Sequence, residues 1–365
     1  MNKQNAADSK KITIAILFGG NSPEYGVSLK SAYSVITHID EAKYEPILLG
    51  INQKGEWFYF FGEPDKILSD TWNNPANCMR AIISPSRETQ GIVIFEKYGN
   101  VRSMKIDVAM PVLHGKNGED GTVQGLLELA GIPIVGCNTL ASALCMDKDR
   151  AHKIVEQAGV KIARSFTITD EKDAKNCLEK AQELGLPLFI KPVKAGSSYG
   201  ITRLSNENNV LISEDFLEAV ELALNYDDEV IIEENIDGFE VGCAVLGDGA
   251  DLIVGEVDEI ELTDGFFNYK EKYTLETSKV HVPARIKKEK AKEVKETAKT
   301  IYKALGCSGF ARVDMFLTPA GDIVFNEVNT IPGFTSHSRY PNMLKAIGMT
   351  FDQVIDTLIE SAIKT

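Results

Sequence analysis

The stretch GCSGFARVDMFLTPAGDIVFNEVN (Gly306–Asn329) predicts two strands joined by a turn at Thr318–Gly321. The runs on either side of the turn are apolar and rich in β-branched and aromatic residues, as in strands buried in a sheet. Glu327 and Asn329 are two residues apart, so their side chains leave the second strand on one face. Taken alone, that pattern is more typical of a solvated sheet edge followed by a plain turn.

The first strand of the hairpin changes this interpretation. Pairing the strands brings Asp314 close to Glu327 and Asn329, and three hard oxygen donors suit Mg²⁺, which usually shares its ligands with substrate phosphates. Arg312 lies two residues before Asp314 on the same face, where it could bind a phosphate or an acyl phosphate. The sequence therefore predicts a magnesium–nucleotide site on this hairpin.

Composition restricts the class of protein. The chain has 365 residues, enough for two or three domains, with the apolar and charged content of an ordinary soluble enzyme. Its net charge of −14 argues against nucleic acid and anionic membranes as partners. No apolar run is long enough to span a membrane, and the polar start MNKQNAADSKK is not a secretory signal, so we expect a cytoplasmic protein.

The cysteines and histidines show no metal-binding spacing. There is no C-x-x-C pair and no H-E-x-x-H motif. In a reducing compartment we expect the cysteines to be free and buried, neither bridged nor bound to zinc. These residues are Cys78, Cys137, Cys145, Cys177, Cys243 and Cys307.

The first third of the chain alternates strands and helices. Strands are predicted over ITIAILFGG, YEPILLGIN and IDVAMPVLHG, and helices over SPEYGVSLKSAYSVITHI and GTVQGLLELAG. This alternation predicts an α/β domain with a parallel sheet. The turn Gly19–Asn21 lacks the G-x-G-x-x-G spacing of a dinucleotide site, so dinucleotide binding is not expected.

The rest of the chain has α+β character. SALCMDKDRAHKIVEQAGV predicts one helix, another helix ends at Gly185, and PLFIKPV, ITRL and EVIIEENI predict strands. Antiparallel strands follow over FEVGCAVLG and ADLIVGEVDEI. The next segment, ELTDGFFNYKEKYTLETSKVHVPA (261–284), has the length of a loop that is either functional or disordered.

A glycine-rich loop and two lysines suggest phosphate binding. In KPVKAGSSYG, the backbone N–H groups exposed by Gly196 and Gly200 could cover phosphates, with Lys191 as a point charge. The loop is not a Walker A motif, and alone it is more typical of a flexible hairpin. Together with Lys148 in MDKDRAHK and the magnesium hairpin, it favours a nucleotide site.

Three further segments carry polar side chains with two interpretations each. Glu233–Asn235 could present its backbone to an adenine edge, with Glu240 at a ribose, or form a solvated hinge. His114 and Glu119 follow a strand, where α/β sheets bind ligands, but they could equally stabilise a local turn. Glu24 is either a helix-capping acid or a counter-ion for a substrate ammonium.

Seven motifs then occur in a fixed order: GGNSPEYGVSLKSA, LHGKNGEDGTVQGLLELAGIPIVG, MDKDRAHK, FIKPVKAGSSYGI, FFNYKEKYT, GFARVDMF and FNEVNTIPGFTSHSRYP. With them the chain resembles the D-alanine–D-alanine ligase family of ATP-grasp enzymes, over nearly its whole length. The resemblance implies an ATP-grasp fold with three domains. These are an N-terminal α/β substrate domain (1–135), a central domain (136–236) and a C-terminal domain (237–365) with the metal site and a lid loop at about 261–284.

The resemblance also implies roles for single residues. The residues that match ATP contacts are Lys148, Lys191, Ser198, Glu233, Glu234, Ile236, Glu240, Lys272 and Asn326. The residues that match catalytic groups are Glu24, Ser197, Tyr273, Arg312, Gly333 and Ser338. The residues that match substrate contacts are His114, Phe267 and Arg339. The residues that match magnesium ligands are Asp314, Glu327 and Asn329, in agreement with the hairpin analysis.

The implied chemistry is an ATP-dependent ligation. The carboxylate of D-alanine attacks the γ-phosphorus of ATP, while lysines and two Mg²⁺ ions, or Mn²⁺ in their place, offset the charge. The lid keeps water from the acyl phosphate, and a trio of Glu24, Ser197 and Tyr273 ties it down. A second amino acid attacks the acyl carbon, and Arg312 with the Gly333 N–H holds the oxyanion. The family also implies a homodimer formed through the N-terminal domain.

Two positions concern the choice of the second amino acid. Phe267 stands where alanine ligases typically carry Tyr, and Arg339 where they often carry Leu or Met. The pair resembles the D-alanine–D-serine ligases of vancomycin resistance, most closely their G type, whereas Tyr273 disfavours D-lactate. Arg339 would give a serine hydroxyl fixed hydrogen-bond donors. The alternative is drift in a D-alanine–D-alanine ligase of peptidoglycan synthesis, since such a site need not reject alanine.

Two other classes of function share the nucleotide motifs. A nucleotide-binding regulator without ligase activity would be expected to lack a magnesium ligand or Arg312, and the sequence has all of them. An ATP-grasp ligase for an unrelated substrate is disfavoured by the segments EYGVSLKSA and SHSR, which match substrate-binding parts of the family.

Overall fold

The chain forms three sheets with helices packed against them, and a computed structural model describes residues 10–196, 199–206, 208–249, 251–262 and 278–364. The strands are β1 (Ile12–Gly19), β2 (Tyr44–Ile51), β3 (Trp57–Phe60), β4 (Cys78–Ile83), β5 (Gly91–Phe95), β6 (Val101–Lys105), β7 (Val108–Pro111), β8 (Lys161–Ile162), β9 (Ser165–Ile168), β10 (Leu188–Pro192), β11 (Thr202–Leu204), β12 (Val230–Glu234), β13 (Phe239–Leu246), β14 (Ile253–Val254), β15 (Asp258–Leu262), β16 (Ser278–His281), β17 (Phe310–Leu317) and β18 (Ile323–Asn329). The helices are α1 (Tyr25–His38), α2 (Asp65–Leu68), α3 (Thr122–Ala130), α4 (Thr139–Met146), α5 (Lys148–Gln157), α6 (Glu171–Asn176), α7 (Leu178–Leu184), α8 (Ser213–Leu224), α9 (Lys288–Ala304), α10 (Arg339–Lys345) and α11 (Phe351–Lys364).

The first sheet is mixed, so the prediction of a parallel sheet is only partly right. Its strand order is β6-β5-β4-β3-β2-β1-β7, and only β1 pairs in parallel, with β2 and β7. The strands from β2 to β6 pair antiparallel, each with the next strand along the chain. The sequence pattern predicted only the strands that correspond to β1, β2 and β7, and it did not indicate the outer strands from β3 to β6.

The core of the first sheet is completed by the end of the chain. Alternate residues of β1 point to opposite faces. Ala15 and Leu17 pack towards α3, whereas Ile14, Ile16 and Phe18 pack towards α1 and α11. The apolar side of α11 thus packs on α1 and β7, in the same cluster as β1, which lies more than 330 positions earlier in the chain.

The other two sheets hold the predicted nucleotide motifs. The second sheet is antiparallel, with the order β11-β10-β12-β9, and α6, α7 and α8 contribute to its core. The third sheet has the order β16-β15-β13-β17-β18-β8, with β14 paired to β13. The predicted hairpin is confirmed, since β17 and β18 pair antiparallel with Asp314 opposite Glu327.

Local chemistry breaks several predicted elements in two. The helix predicted over 142–160 is interrupted at Asp147, which is extended and whose carboxylate caps α5 by accepting from the Arg150 N–H at 2.9 Å. The helix predicted before Gly185 is divided into α6 and α7 at Cys177. The strand predicted over 250–260 is divided into β14 and β15, because Glu256 leaves the ladder and donates to the Met343 carbonyl at 2.8 Å.

The cysteines are free, as predicted, and five of the six are buried, Cys177 being partly exposed. Among the residues that the structure describes, no helix has both the length and the apolar character needed to cross a membrane.

Truncating the apolar side of α11 should destabilise the whole N-terminal core. Leu358 is 1% exposed within it, whereas Ile363 on the same helix is 39% exposed. We expect Leu358→Ala to lower the free energy of unfolding by about 2–5 kcal/mol and Ile363→Ala by less than about 1 kcal/mol. Urea denaturation of both variants measures the difference, and equal losses would contradict the packing of α11.

The same helix should give stability that is lost in acid. Asp356 accepts hydrogen bonds from Lys43 Nζ at 2.7 Å and Tyr44 Oη at 2.5 Å. Partial burial alone would raise the pKa of Asp356, but these two donors outweigh it and hold the pKa below its ordinary value. A lowered native pKa means that the contribution is present above the unfolded value of about 4 and disappears as the pH falls through the native one.

We therefore expect Asp356→Asn to be less stable than the wild type by about 1 kcal/mol near pH 7 and nearly equal to it at about pH 2. Urea midpoints across this pH range test the prediction, with Asp251→Asn at an exposed position as the control. A gap that stays constant with pH would rule out the ionised carboxylate as its cause.

Candidate functional site

The β17–β18 hairpin gathers the predicted magnesium ligands on one face. Asp314 is opposite Glu327 and Arg312 is opposite Asn329, with a register shift directly after Asp314. Asn329 Nδ2 donates to Asp314 Oδ2 at 2.9 Å. Asn329 thus contacts Asp314, and Glu327 is the ladder partner of Asp314, while their role as magnesium ligands stays a prediction. Among the described residues no group of three His, Cys, Asp or Glu side chains could hold a metal, so any ion here needs the amide oxygen as a ligand.

Two arginines with mostly buried side chains face Asp314. Arg312 donates to it from Nε at 2.9 Å and from Nη2 at 2.7 Å, and Arg339 Nη2 lies 3.3 Å from its Oδ1. Burial disfavours the charged form of both guanidiniums, but the facing carboxylates outweigh it and raise the pKa of each above its ordinary value.

Arg339 is held by two more carboxylates. Its Nε and Nη2 donate to Asp258 at 2.7 and 2.9 Å, and its Nη1 donates to Glu240 at 2.8 Å. Gly242 leaves the space for this network, since a Cβ at that position would overlap both Arg339 and Asp258. A buried polar network on three strands therefore lies directly behind the predicted metal ligands. No sequence motif marks Asp258, because its partner Arg339 is 81 residues away.

A cavity of about 500 Å³ lies between the second and third sheets. It is lined by every described residue that matches an ATP contact, namely Lys148, Lys191, Glu233, Glu234, Ile236, Glu240 and Asn326. Apolar residues without a predicted role line the same space, among them Phe189, Ile201, Phe316 and Phe325. Their apolar faces suit an aromatic base, but buried aromatic residues are too common in sequences to be recognised beforehand.

The charged wall of this cavity is organised around Glu233. Lys191 Nζ forms an ion pair with Glu233, and His152 Nδ1 lies 3.7 Å from its other oxygen. Burial would raise the pKa of Glu233, but the charges of Lys191 and His152 outweigh it and lower the pKa. Glu233 Oε1 and His152 Nδ1 are buried without a hydrogen-bond partner among the described residues, so a polar ligand would satisfy both.

A second cavity, of about 1060 Å³, adjoins the first and shares Lys148 and Glu327 with it. It is lined by the described residues with predicted catalytic or substrate roles, namely Glu24, His114, Arg312, Gly333, Ser338 and Arg339. Six Lys and Arg side chains line it against three Glu, the reverse of the balance in the whole chain. Basic residues are therefore concentrated at this cavity, although the chain as a whole is acidic.

Five of the predicted site residues lie outside the described residues. They are Ser197, Ser198, Phe267, Lys272 and Tyr273. The predicted trio of Glu24, Ser197 and Tyr273 and the Phe267 position therefore stay predictions.

Glu24 is at the N-cap position of α1, but its side chain makes no capping hydrogen bond, so the capping interpretation is wrong. Its carboxylate is 7% exposed and lies against Gly115 and Gly196, where any Cβ would crowd it. The carboxylate thus faces the larger cavity between two loops, a position that fits the counter-ion interpretation better than the capping one.

The segment after β7 is connected to the segment after β18. Glu119 accepts from the Gly115 N–H at 2.8 Å and from the Ile331 N–H at 3.1 Å. Burial, followed by the charge of Glu24, raises the pKa of Glu119 to about 8. His114 Nδ1 lies 2.9 Å from the Ile331 carbonyl, and burial lowers the pKa of this ring. The bond from Glu119 to Gly115 is local and fits a stabilised turn. The bonds of His114 and Glu119 to Ile331 instead join segments more than 200 residues apart.

Comparison with known proteins agrees with this arrangement. Residues 13–137 match the family described as the D-ala D-ala ligase N-terminus, and residues 154–360 match the D-ala D-ala ligase C-terminus. The solved structure of VanG D-Ala:D-Ser ligase from Enterococcus faecalis is 55% identical, with a TM-score of 0.88 over 97% of this chain and 100% of that one. Vancomycin B-type resistance protein VanB from Enterococcus faecalis is 45% identical over 97% of this chain and 99% of its own length.

A third relative is named for a different pair of substrates from those of the VanG ligase. The D-alanine-D-alanine ligase from Coxiella burnetii is 30% identical, with a TM-score of 0.84 over 98% of this chain and 95% of that one. All three relatives align over essentially their whole length, and both family matches lie in order along the chain. The chain therefore belongs to the D-alanine–D-alanine ligase family and is an ATP-dependent ligase with the ATP-grasp fold.

Proposed function

We propose that the chain joins D-alanine to D-serine, forming a cell-wall precursor dipeptide that confers vancomycin resistance. The observation that carries the proposal is Arg339, which lines the larger cavity beside Ser338 and Arg312, at a position where alanine ligases often have an apolar side chain. The similarity to the VanG D-Ala:D-Ser ligase, at 55% identity, supports the same assignment.

In the first step the carboxylate of D-alanine attacks the γ-phosphorus of ATP, and ADP leaves. The adenosine part occupies the smaller cavity against Glu233, Ile236 and Glu240, with the phosphates extending towards Lys148, which both cavities share. Asp314, Glu327 and Asn329 would hold Mg²⁺ (or Mn²⁺), which offsets the charge on the transferring oxygens.

Arg312 donates from Nε and Nη2 to the Asp314 carboxylate, which keeps its guanidinium beside the predicted metal ligands. It also lines the larger cavity, where it is the cation that would bind the phosphoryl oxygens of the acyl phosphate.

In the second step the amine of the second amino acid attacks the acyl carbon. A C–N bond forms, and the bond between the acyl carbon and the bridging phosphate oxygen breaks. Inorganic phosphate leaves, and the amine proton passes to solvent or to phosphate. The oxyanion that develops needs donors, and the Gly333 N–H lines the cavity without an acceptor among the described residues. Arg312 lines the same cavity and would be the second donor.

The same proposal divides the chain at residues 1–135, 136–236 and 237–365 and makes it a homodimer through the first part. The second sheet, with its own core, lies wholly within 136–236, which supports that boundary. The helix α11 crosses the division, because it completes the core of the first sheet.

The second candidate is a D-alanine–D-alanine ligase. One observation favours it, namely that Arg339 already donates from Nε, Nη1 and Nη2 to protein carboxylates. Of the five N–H groups of a guanidinium, few then remain for a serine hydroxyl.

Purified protein with Mg-ATP and D-alanine should release phosphate and form D-alanyl-D-serine as the main dipeptide when D-serine is in excess. Chromatographic separation of the dipeptides measures the outcome. D-alanyl-D-alanine as the sole product would assign the second candidate. ATP turnover without any dipeptide would overturn both.

Replacing Arg339 by lysine should reduce the use of D-serine specifically. Lys keeps a positive charge opposite Asp258 and Asp314, so folding is preserved, but it loses the planar donor fork. We expect kcat/KM for D-serine to fall about 10- to 100-fold relative to that for D-alanine as second substrate.

Arg285→Lys is the matched control, because Arg285 forms the same kind of forked ion pair, with Glu259, at the smaller cavity. Its D-serine to D-alanine ratio should stay at the wild-type value. A wild-type ratio in Arg339→Lys would assign the choice of the second substrate to other residues.

A further inference from the structure

The turn that carries Gly333 is held from outside its own part of the chain. It runs from Ile331 to Phe334, after β18. Among the described residues, every side chain that forms a hydrogen bond with the backbone of this turn belongs to the first third of the chain. Ser31, on α1, accepts from the Phe334 N–H at 3.3 Å. His114 and Glu119, after β7, bind the carbonyl and the N–H of Ile331 at 2.9 and 3.1 Å.

The direction of these bonds is fixed by the partners. The Ile331 carbonyl can only accept, so His114 Nδ1 carries the hydrogen and donates to it. In the neutral ring Nε2 is then an acceptor, and Ser31 Oγ, 3.1 Å away, donates to it. The lone pairs of the same hydroxyl remain for the Phe334 N–H. The chain of bonds has one donor and one acceptor at each link, and the lowered pKa of His114 agrees with a neutral ring.

This arrangement leaves His114 little capacity for a direct substrate contact. Both of its ring nitrogens are used, one by the turn and one by Ser31. Ser31 is fully buried and His114 is 4% exposed, so water does not compete for these bonds. Gly333 lies between the two anchored residues, and its own N–H has no acceptor among the described residues.

We propose that Ser31, His114 and Glu119 are positioning residues that aim the Gly333 N–H at the oxyanion of the acyl-transfer step. The inference rests on the proposed function, because it needs an acyl phosphate and an attacking amine. Pro332 precedes Gly333 and cannot donate, so the aim of the Gly333 N–H depends on how the two ends of the turn are held.

Ser31, His114 and Glu119, here called the clamp, should affect only the second chemical step, the attack of the amine on the acyl carbon. Phosphoryl transfer takes place near Lys148 and the predicted metal ligands, which the three clamp residues do not contact directly in any described hydrogen bond. The oxyanion forms only when the amine attacks the acyl carbon. A loosened turn should therefore slow dipeptide formation and leave formation of the acyl phosphate almost unchanged.

The test is a single-turnover experiment with enzyme in excess of ATP. ADP reports the first step and dipeptide the second, and hydroxylamine in the quench converts accumulated acyl phosphate into D-alanyl hydroxamate. For Ser31→Ala we expect dipeptide formation to slow about 10- to 100-fold, with ADP formation within about threefold of the wild type and hydroxamate increased.

Ser28→Ala is the matched control. Ser28 is on the same helix, is fully buried and also bonds two backbone groups, those of Gly19 and Val112, but it does not touch the turn. Its loss should have a similar effect on stability without separating the two rates. If Ser31→Ala and Ser28→Ala behave alike, the clamp is merely structural and the proposal is overturned.

A second variant keeps the test decisive if Ser31→Ala folds poorly. Glu119→Gln has nearly the same shape, but its amide NH₂ faces one of the two N–H groups that the carboxylate accepts from. It should slow the second step in the same way, and an unchanged second step would also overturn the clamp. If the wild type forms ADP but neither dipeptide nor hydroxamate, the proposed function itself fails, which is a different outcome.

Discussion

The site depends on a carboxylate that is almost completely removed from water. Asp314 is 1% exposed, and an isolated charge at that depth would be strongly unfavourable. Arg312, Arg339 and Asn329 all point their donors at it. Arg339 in turn forms ion pairs with Asp258 and Glu240. The buried Asp314 thus requires matching charged side chains on β13, β15 and α10.

The formal charges of this cluster explain why it suits a cation. Three carboxylates, those of Asp314, Asp258 and Glu240, face two guanidiniums, so one negative charge is left over before Glu327 is considered. A divalent ion held by Asp314, Glu327 and Asn329, as proposed, would offset that excess. Among the charged side chains that line the larger cavity beyond it, Lys and Arg outnumber Glu six to three, in a protein whose overall charge is −14.

The two ends of the chain are interdependent. The helix α11 completes the core of the first sheet, while Ser31, His114 and Glu119 hold the turn that follows β18. In the proposed mechanism the N-terminal part binds a substrate and the C-terminal part supplies the oxyanion donor. Direct hydrogen bonds between the two keep these groups in register without relying on a linker.

The sequence by itself determined the hairpin, its converging Asp314, Glu327 and Asn329, the nucleotide motifs and the family, because these depend on local periodicity and short-range spacing. It did not reveal the outer antiparallel strands of the first sheet or the break at Asp147, and it suggested a capping role for Glu24 that the structure does not support. Only the tertiary structure paired Arg339 with Asp258 and joined His114 to Ile331, 217 residues away. Such pairs leave no periodic trace in one sequence, since their energy comes from burial and from hydrogen bonds formed only after distant segments have packed.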